Sequence, residues 1–240
     1  MVTIFISAIF VGGKNEKVFV MSASLKRRAK MIKTIVKKTY VNDEGFNFIF
    51  EPCESSLTIK KTKTGFEARY LTPDNDPIDP DPREDENLGN MVCFHKRYTL
   101  GDKTDLNSDM FGGWQELADY LIKEKKAIII LPLYLYDHSG ISMKVGSFQG
   151  LLPQGYAEFD SGQVGFIYVT QEDLKRIGIP KSRAEISLRA EIENYNDYLT
   201  GDCYSIVKET YNKDKEQIDY DIYGGYFGYA EAEKALEMDI

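Results

Sequence analysis

The chain has 240 residues, with 30 basic and 38 acidic side chains and a formal net charge of −8. Apolar residues make up 42% and charged residues 28%, which is ordinary globular usage and excludes collagen-like, coiled-coil and disordered classes. No run reaches the ~18 apolar residues that a membrane helix needs, so no membrane partner is expected.

Residues 2–11 and 17–23 read as two strands around a Gly12-Gly13-Lys14-Asn15 turn. The apolar start has no Lys or Arg before Lys14 and lacks the basic opening of a secretory signal. Ser24 is placed to cap a helix, in which Leu25, Ala29, Ile32 and Val36 form one apolar stripe. Lys26, Arg27, Lys30, Lys33 and Lys37 recur on another face, joined by Arg28 and Lys38. Such a face suits phosphate groups through sequence-independent, salt-sensitive contacts. Strands are expected over 46–51 and 56–72, the latter folded back at Thr64-Gly65. Residues 1–72 thus read as a basic ββαβββ segment.

A break follows at 73–87, P-D-N-D-P-I-D-P-D-P-R-E-D-E-N. Its four prolines exclude a helix, and its seven carboxylates against one Arg favour an extended, solvated linker. Asp74, Asp76, Asp79 and Asp81 alternate with proline. Their spacing is compatible with a charged linker, with oxygen ligands for a hard cation, or with an acidic strip that imitates a phosphate backbone. The charge shifts at this point. Residues 1–70 hold 13 basic and 6 acidic side chains, and the remaining 170 hold 17 and 32.

Residues 88–240 read as a larger, acidic α+β domain with a central sheet. A strand is expected over Asn90–Tyr98 and a helix over 113–126. Ala127–Tyr136 is a near-continuous apolar run, as in a buried central strand. Residues 146–162 are Gly-rich and irregular, and Gln163–Thr170 is a strand. Thr170 with Glu172 and Asp173 opens a short helix that Gly178 ends. Pro180 opens a longer one, striped by Ala184, Leu188, Ile192, Tyr195 and Leu199. Residues 202–210 and 218–227 suggest a hairpin, and Ala230–Met238 a last helix.

Three cysteines, Cys53, Cys93 and Cys203, lie far apart without a C-x-x-C pair, so neither a disulfide frame nor a zinc finger is encoded. No phosphate-binding loop, dinucleotide fingerprint or nucleophile elbow occurs, and no cofactor is expected. The chemistry-bearing candidates are His95, Asp137, His138 and Asp160, all at expected strand ends or loops. Imidazoles and carboxylates of this kind serve as metal ligands or as an acid–base set in which an Asp orients a His. Equally, they cap turns and hydrogen-bond locally. The C-terminal third is crowded with aromatics, among them Tyr220, Tyr223 and Tyr226. Interleaved with Asp219 and Asp221, they suit an acidic, aromatic docking face.

The segments P-R-E-D-E-N-L-G-N-M-V-C-F-H-K-R-Y-T-L-G-D (82–102), L-P-L-Y-L-Y-D-H-S-G-I (131–141), D-S-G-Q-V-G-F-I-Y-V-T (160–170) and Y-N-D-Y-L-T-G-D-C-Y (195–204) form an ordered series. This series resembles an uncharacterised family of accessory proteins encoded by bacteriophages and related mobile elements. The resemblance covers about residues 80–229. It implies action in the cytoplasm of a bacterial host, on a host protein such as a nuclease or nucleoprotein complex, as anti-CRISPR or anti-restriction-like proteins act. The alternative from the residues themselves is a metal-assisted hydrolase of nucleotides or nucleic acid, built on His95, Asp137, His138 and Asp160.

Overall fold

A computed structural model describes residues 37–42, 47–53, 56–74, 81–152 and 156–238, all within one unit, Lys33–Ile240. The two expected N-terminal strands, and Lys26, Arg27, Lys30 and Lys33 of the basic helix, lie outside the described residues. So do Asp76 and Asp79.

The architecture is mixed α+β, as the patterning predicts. Strands β1 (Lys38–Val41) and β2 (Asn47–Phe50) form a hairpin. Strands β3 (Thr58–Lys61), β4 (Gly65–Pro73), β9 (Cys203–Asn212) and β10 (Gln217–Phe227) form one antiparallel sheet in the order β10-β9-β4-β3. Strands β5 (Asn90–Cys93), β6 (Ala127–Asp137), β7 (Ile141–Val145) and β8 (Ser161–Thr170) form a second, in the order β5-β8-β6-β7. The longer helices are α1 (Trp114–Lys123), α2 (Gln171–Ile177), α3 (Lys181–Thr200) and α4 (Tyr229–Met238), beside single turns at Ser108–Met110 and Tyr156–Phe159. None of the described helices is long and apolar enough to cross a membrane.

The second sheet is covered on both faces, which explains the unbroken apolar runs of β6 and β8. Alternation along β8 sends Ile167 and Val169 to one side, against Leu188, Ile192 and Tyr195 of α3. It sends Phe166 and Tyr168 to the other, against Leu117 and Leu121 of α1. The expected stripe of α3 is the buried one: Ala184, Leu188, Ile192 and Tyr195 are all within 2% exposure. The start of α2 carries the expected cap. Thr170 Oγ1 accepts from the Asp173 N–H (3.2 Å), and Asp173 Oδ2 accepts from the Thr170 N–H (2.9 Å). Partial burial pushes the Asp173 carboxyl up, and bonds from Thr170, Arg176 and Asn90 outweigh it, leaving a net depression.

The first sheet carries α4 on one face, with Tyr229, Ala232 and Leu236 on Leu71, Tyr204 and Ile206. On the other face, Phe48 and Phe50 of the β1–β2 hairpin pack on Phe66 and Ala68.

Three expectations give way. The boundary at 73–87 does not divide the chain into 1–72 and 88–240. β4, before that stretch, pairs along its length with β9, from Gly65↔Asn212 to Pro73↔Tyr204. A long-range ladder outweighs the local signal of prolines and carboxylates. The strand at Asn90 ends at Cys93 rather than Tyr98, because the chain doubles back: Asp102 N–H donates to the Met91 carbonyl (2.9 Å), and Gly101 bridges Val92. Lys38, expected on the basic helix, opens β1.

Arg83 also departs from the linker reading. Its side chain is 3% exposed and forms a hub. Nε donates to Asp102 (2.8 Å), Nη1 to Glu191 of α3 (3.0 Å) and Nη2 to the Gly89 carbonyl (2.6 Å). Glu191 in turn accepts from the backbone N–H of Leu88 and Gly89. The hub ties residues 83–89 and the 94–108 loop to α3. Burial alone would lower the Arg83 pKa, and the two carboxylates more than offset it.

Candidate functional site

Two regions hold the candidate residues. The first is an open groove of about 1200 Å³ at one end of the second sheet, walled by the 94–108 loop, the end of β6 and the start of β8. His95, Asp137 and Asp160 all line it, so the fold brings together three residues spread over 66 positions of sequence. His138 sits beside it, its Nδ1 3.1 Å from Asp160 Oδ2, and β6 is fastened there by the Asp137 N–H to the Asp160 carbonyl (2.8 Å). Asp137 is engaged by Arg97 and by the Tyr98 hydroxyl (3.2 Å). His95 stacks on the Tyr98 ring (4.9 Å between centroids, 11° between planes), and the Arg97 guanidinium lies 5.5 Å from the same ring.

The expected Asp-orients-His arrangement exists as His138–Asp160. A metal-ligand cage does not: among the described residues no three His, Cys, Asp or Glu side chains gather where an ion could be held. One physical reason is that Asp137 faces the Arg97 guanidinium, a permanent cation that occupies the oxygens a metal would need. Arg97 and Tyr98 escaped sequence reasoning. Their one signal is proximity to His95 in H-K-R-Y, a basic and aromatic cluster directly after a strand.

The second region is β10, the outer strand of the first sheet. Its 11 residues contain neither Lys nor Pro, and among the described residues nothing pairs with its outer edge. Ile218, Tyr220, Ile222 and Tyr223 are 43–55% exposed. The register places Tyr220 opposite Glu209 and Ile222 opposite Val207, on the sheet face that carries the β1–β2 hairpin. Asp219, Asp221 and Tyr223 lie on the opposite face, where Asp221 is 3.7 Å from Lys208. The ladder shifts register between Tyr223 and Tyr226, at Gly224-Gly225, and past that point Tyr226 packs against the α4 cluster. Tyr220 and Tyr223 are therefore surface groups, whereas Tyr226 is partly core.

The acidic loop is not a free contact strip where it is described. Asp74 Oδ2 accepts from the Ser205 hydroxyl (3.0 Å), which holds the end of β4 to β9. Asp81 Oδ1 accepts from the Arg83 N–H (2.8 Å), and burial raises its pKa. Lys37, expected on the basic helix, is not helical: it directly precedes β1 and is exposed beside Glu51 (3.3 Å). The cysteines are all free thiols. Burial pushes Cys93 up to about 12 and Cys203 up to about 11, so both are protonated and unreactive near neutrality.

Ile218 and Ile222 are further surface residues that sequence reasoning passed over. Their signal is alternation with Asp219 and Asp221 in a strand without a guarding Lys or Pro. No family model, no curated protein and no solved structure matches this chain.

Proposed function

We propose that this chain is a non-catalytic binding protein that engages a partner protein through the outer edge of β10. The observation that carries the reading is the unguarded edge itself. Native proteins blunt such edges with short strands, charges (above all lysines), prolines or bulges, and β10 has bulges at its two ends and two aspartates but no Lys or Pro between them. β10 keeps one register over Asp219–Tyr223, has no partner on its outer edge among the described residues, and is studded with half-exposed apolar side chains. An extended segment of the partner completes the ladder with backbone bonds and covers those side chains. Covering the exposed halves of Ile218 and Ile222 is worth roughly 1–2 kcal/mol.

The same strand disfavours a second copy of itself. Antiparallel self-pairing centred on Tyr220 sets Asp219 against Asp221 of the other copy, and like charges directly opposite repel. The two carboxylates instead favour a segment with basic side chains. The resemblance to phage accessory proteins supports the class of partner: a host nuclease or nucleoprotein complex acting in defence or nucleic-acid processing. The groove pair His138–Asp160 is the one feature that favours the hydrolase alternative, and among the described residues it is not part of a metal-binding cluster.

The test is capture from nuclease-treated bacterial lysate by the full chain and by a Tyr220→Lys/Ile222→Lys variant. The expected result is a stoichiometric partner on the wild-type chain that the variant loses while its far-UV spectrum and unfolding midpoint stay unchanged. Retention of the partner by a folded variant contradicts the reading.

A further inference from the structure

At the far end of the first sheet, the β3–β4 and β9–β10 turns and the end of β1 meet around a small cavity of about 170 Å³. That is room for about five or six waters at ~30 Å³ each. The β3–β4 turn supplies Lys61, Thr62 and Lys63, the β9–β10 turn supplies Lys213, and the β1–β2 hairpin supplies Tyr40 and Asn42. Gly65 makes the convergence tight: a Cβ there would overlap the Tyr211 carbonyl oxygen, so only glycine lets β4 begin flush against the end of β9. The lysines come from chain positions 150 residues apart.

The described lining residues share one chemical character. Each of the six polar side chains can donate a hydrogen bond, three of them as ammonium groups, and no carboxylate is among the described lining residues. Lys63 and Lys213 are exposed and have no ion-pair partner among the described residues. The carboxylate of Glu216, in the same turn as Lys213, is taken up by the Asn212 amide (2.8 Å). The ammonium groups of Lys63 and Lys213 at one cavity repel one another, and an anion with several acceptor oxygens relieves that repulsion.

We propose that this cavity is a phosphate-binding site, with Lys63 and Lys213 as its two principal contacts and Thr62 and Tyr40 as hydroxyl donors. Its ligand is either a backbone phosphate of single-stranded nucleic acid or the phosphate of a small ester. Both present the same tetrahedral, acceptor-only group. The site is independent of the β10 edge, whose exposed residues take no part in it.

Two probes separate the sources: a short fluorescent oligothymidylate read by anisotropy, and pyrophosphate read by calorimetry. Each is titrated into the full-length wild-type chain, a Lys63→Glu/Lys213→Glu variant and a charge-matched Lys125→Glu/Lys175→Glu control. The site variant is expected to bind at least about tenfold more weakly, with the control near wild type. Loss of both probes, with a salt slope on the oligonucleotide lowered by about 1.4, assigns the site to a nucleic-acid backbone. Loss of pyrophosphate alone assigns it to a small phosphate compound. The proposal is overturned if neither probe binds the wild-type chain, if the site variant binds both as the wild type does, or if the control weakens as much as the site variant.

Discussion

The two sheets differ in what covers them. The second sheet lies between α1 and α3, its central strands are buried from both sides, and Arg83 and Glu191 bind its loops to α3. The first sheet is covered by α4 and a two-stranded hairpin, and its outermost strand presents open backbone and half-exposed Ile and Tyr. The difference separates roles. One sheet concentrates the packing that stabilises the chain, and the other leaves an edge that no described residue pairs with. Substitutions should therefore divide cleanly: large stability effects with no effect on recognition in the first case, the reverse in the second.

The largest effect is expected at the hub. Arg83→Ala leaves Glu191 and Asp102 without their buried cation and should cost about 3–5 kcal/mol in denaturant unfolding. A cost under about 1 kcal/mol would show that the hub is not a structural anchor.

Next comes alkaline pH. Desolvation at Cys93, partly buried at the groove, and at the buried Cys203 pushes their thiols up to about 12 and about 11, while in the unfolded chain they ionise near the ordinary thiol value of 9.0. Above that ordinary value the folded state binds more protons than the unfolded one, so stability falls as pH rises. The contribution is complete below about pH 9 and is lost as pH climbs through about 11 and 12. Each thiol accounts for about 1.4 kcal/mol per pH unit inside that window. A Cys93→Ala/Cys203→Ala variant should show a shallower alkaline slope, and an unchanged slope would contradict the assignment.

A smaller effect is expected at the α2 cap, where Thr170→Ala should cost about 1 kcal/mol. The smallest belongs to the open edge. Tyr220→Lys/Ile222→Lys should change stability by less than about 0.5 kcal/mol per site. If that double substitution instead destabilised as much as a core change, β10 would be packed rather than open and the contrast between the sheets would fail.

What was legible in the sequence follows the range of the forces involved. The Thr170–Asp173 cap, the α3 stripe and the β9–β10 hairpin are written within a few residues, and each forms where the pattern places it. The pairing of β4 with β9 joins residues more than a hundred positions apart. Nothing local in either strand names its partner, so the prolines and carboxylates of 73–87 read as a boundary. Arg83 was hidden for the same reason: a lone cation among acids looks solvated until Asp102 and Glu191 are folded over it. It is nonetheless the only basic residue in that stretch, which was the available signal. The groove was half legible. His138 and Asp160 were identifiable as an imidazole and a carboxylate at strand ends, but the competing claim of Arg97 on Asp137 needs the fold. The lysine cavity is similar, since Lys60-Lys61-Thr62-Lys63 is visible in the chain and Lys213 joins it only through the β4–β9 ladder.

The most direct measurement of edge recognition is amide hydrogen exchange across Gln217–Tyr223, in the free chain and in the complex with its captured partner. Strand addition predicts that outward-facing amides of β10, fast in the free chain, become strongly protected in the complex, while β6 and β8 exchange as before. Exchange along β10 that stays fast when the partner is bound would contradict the account.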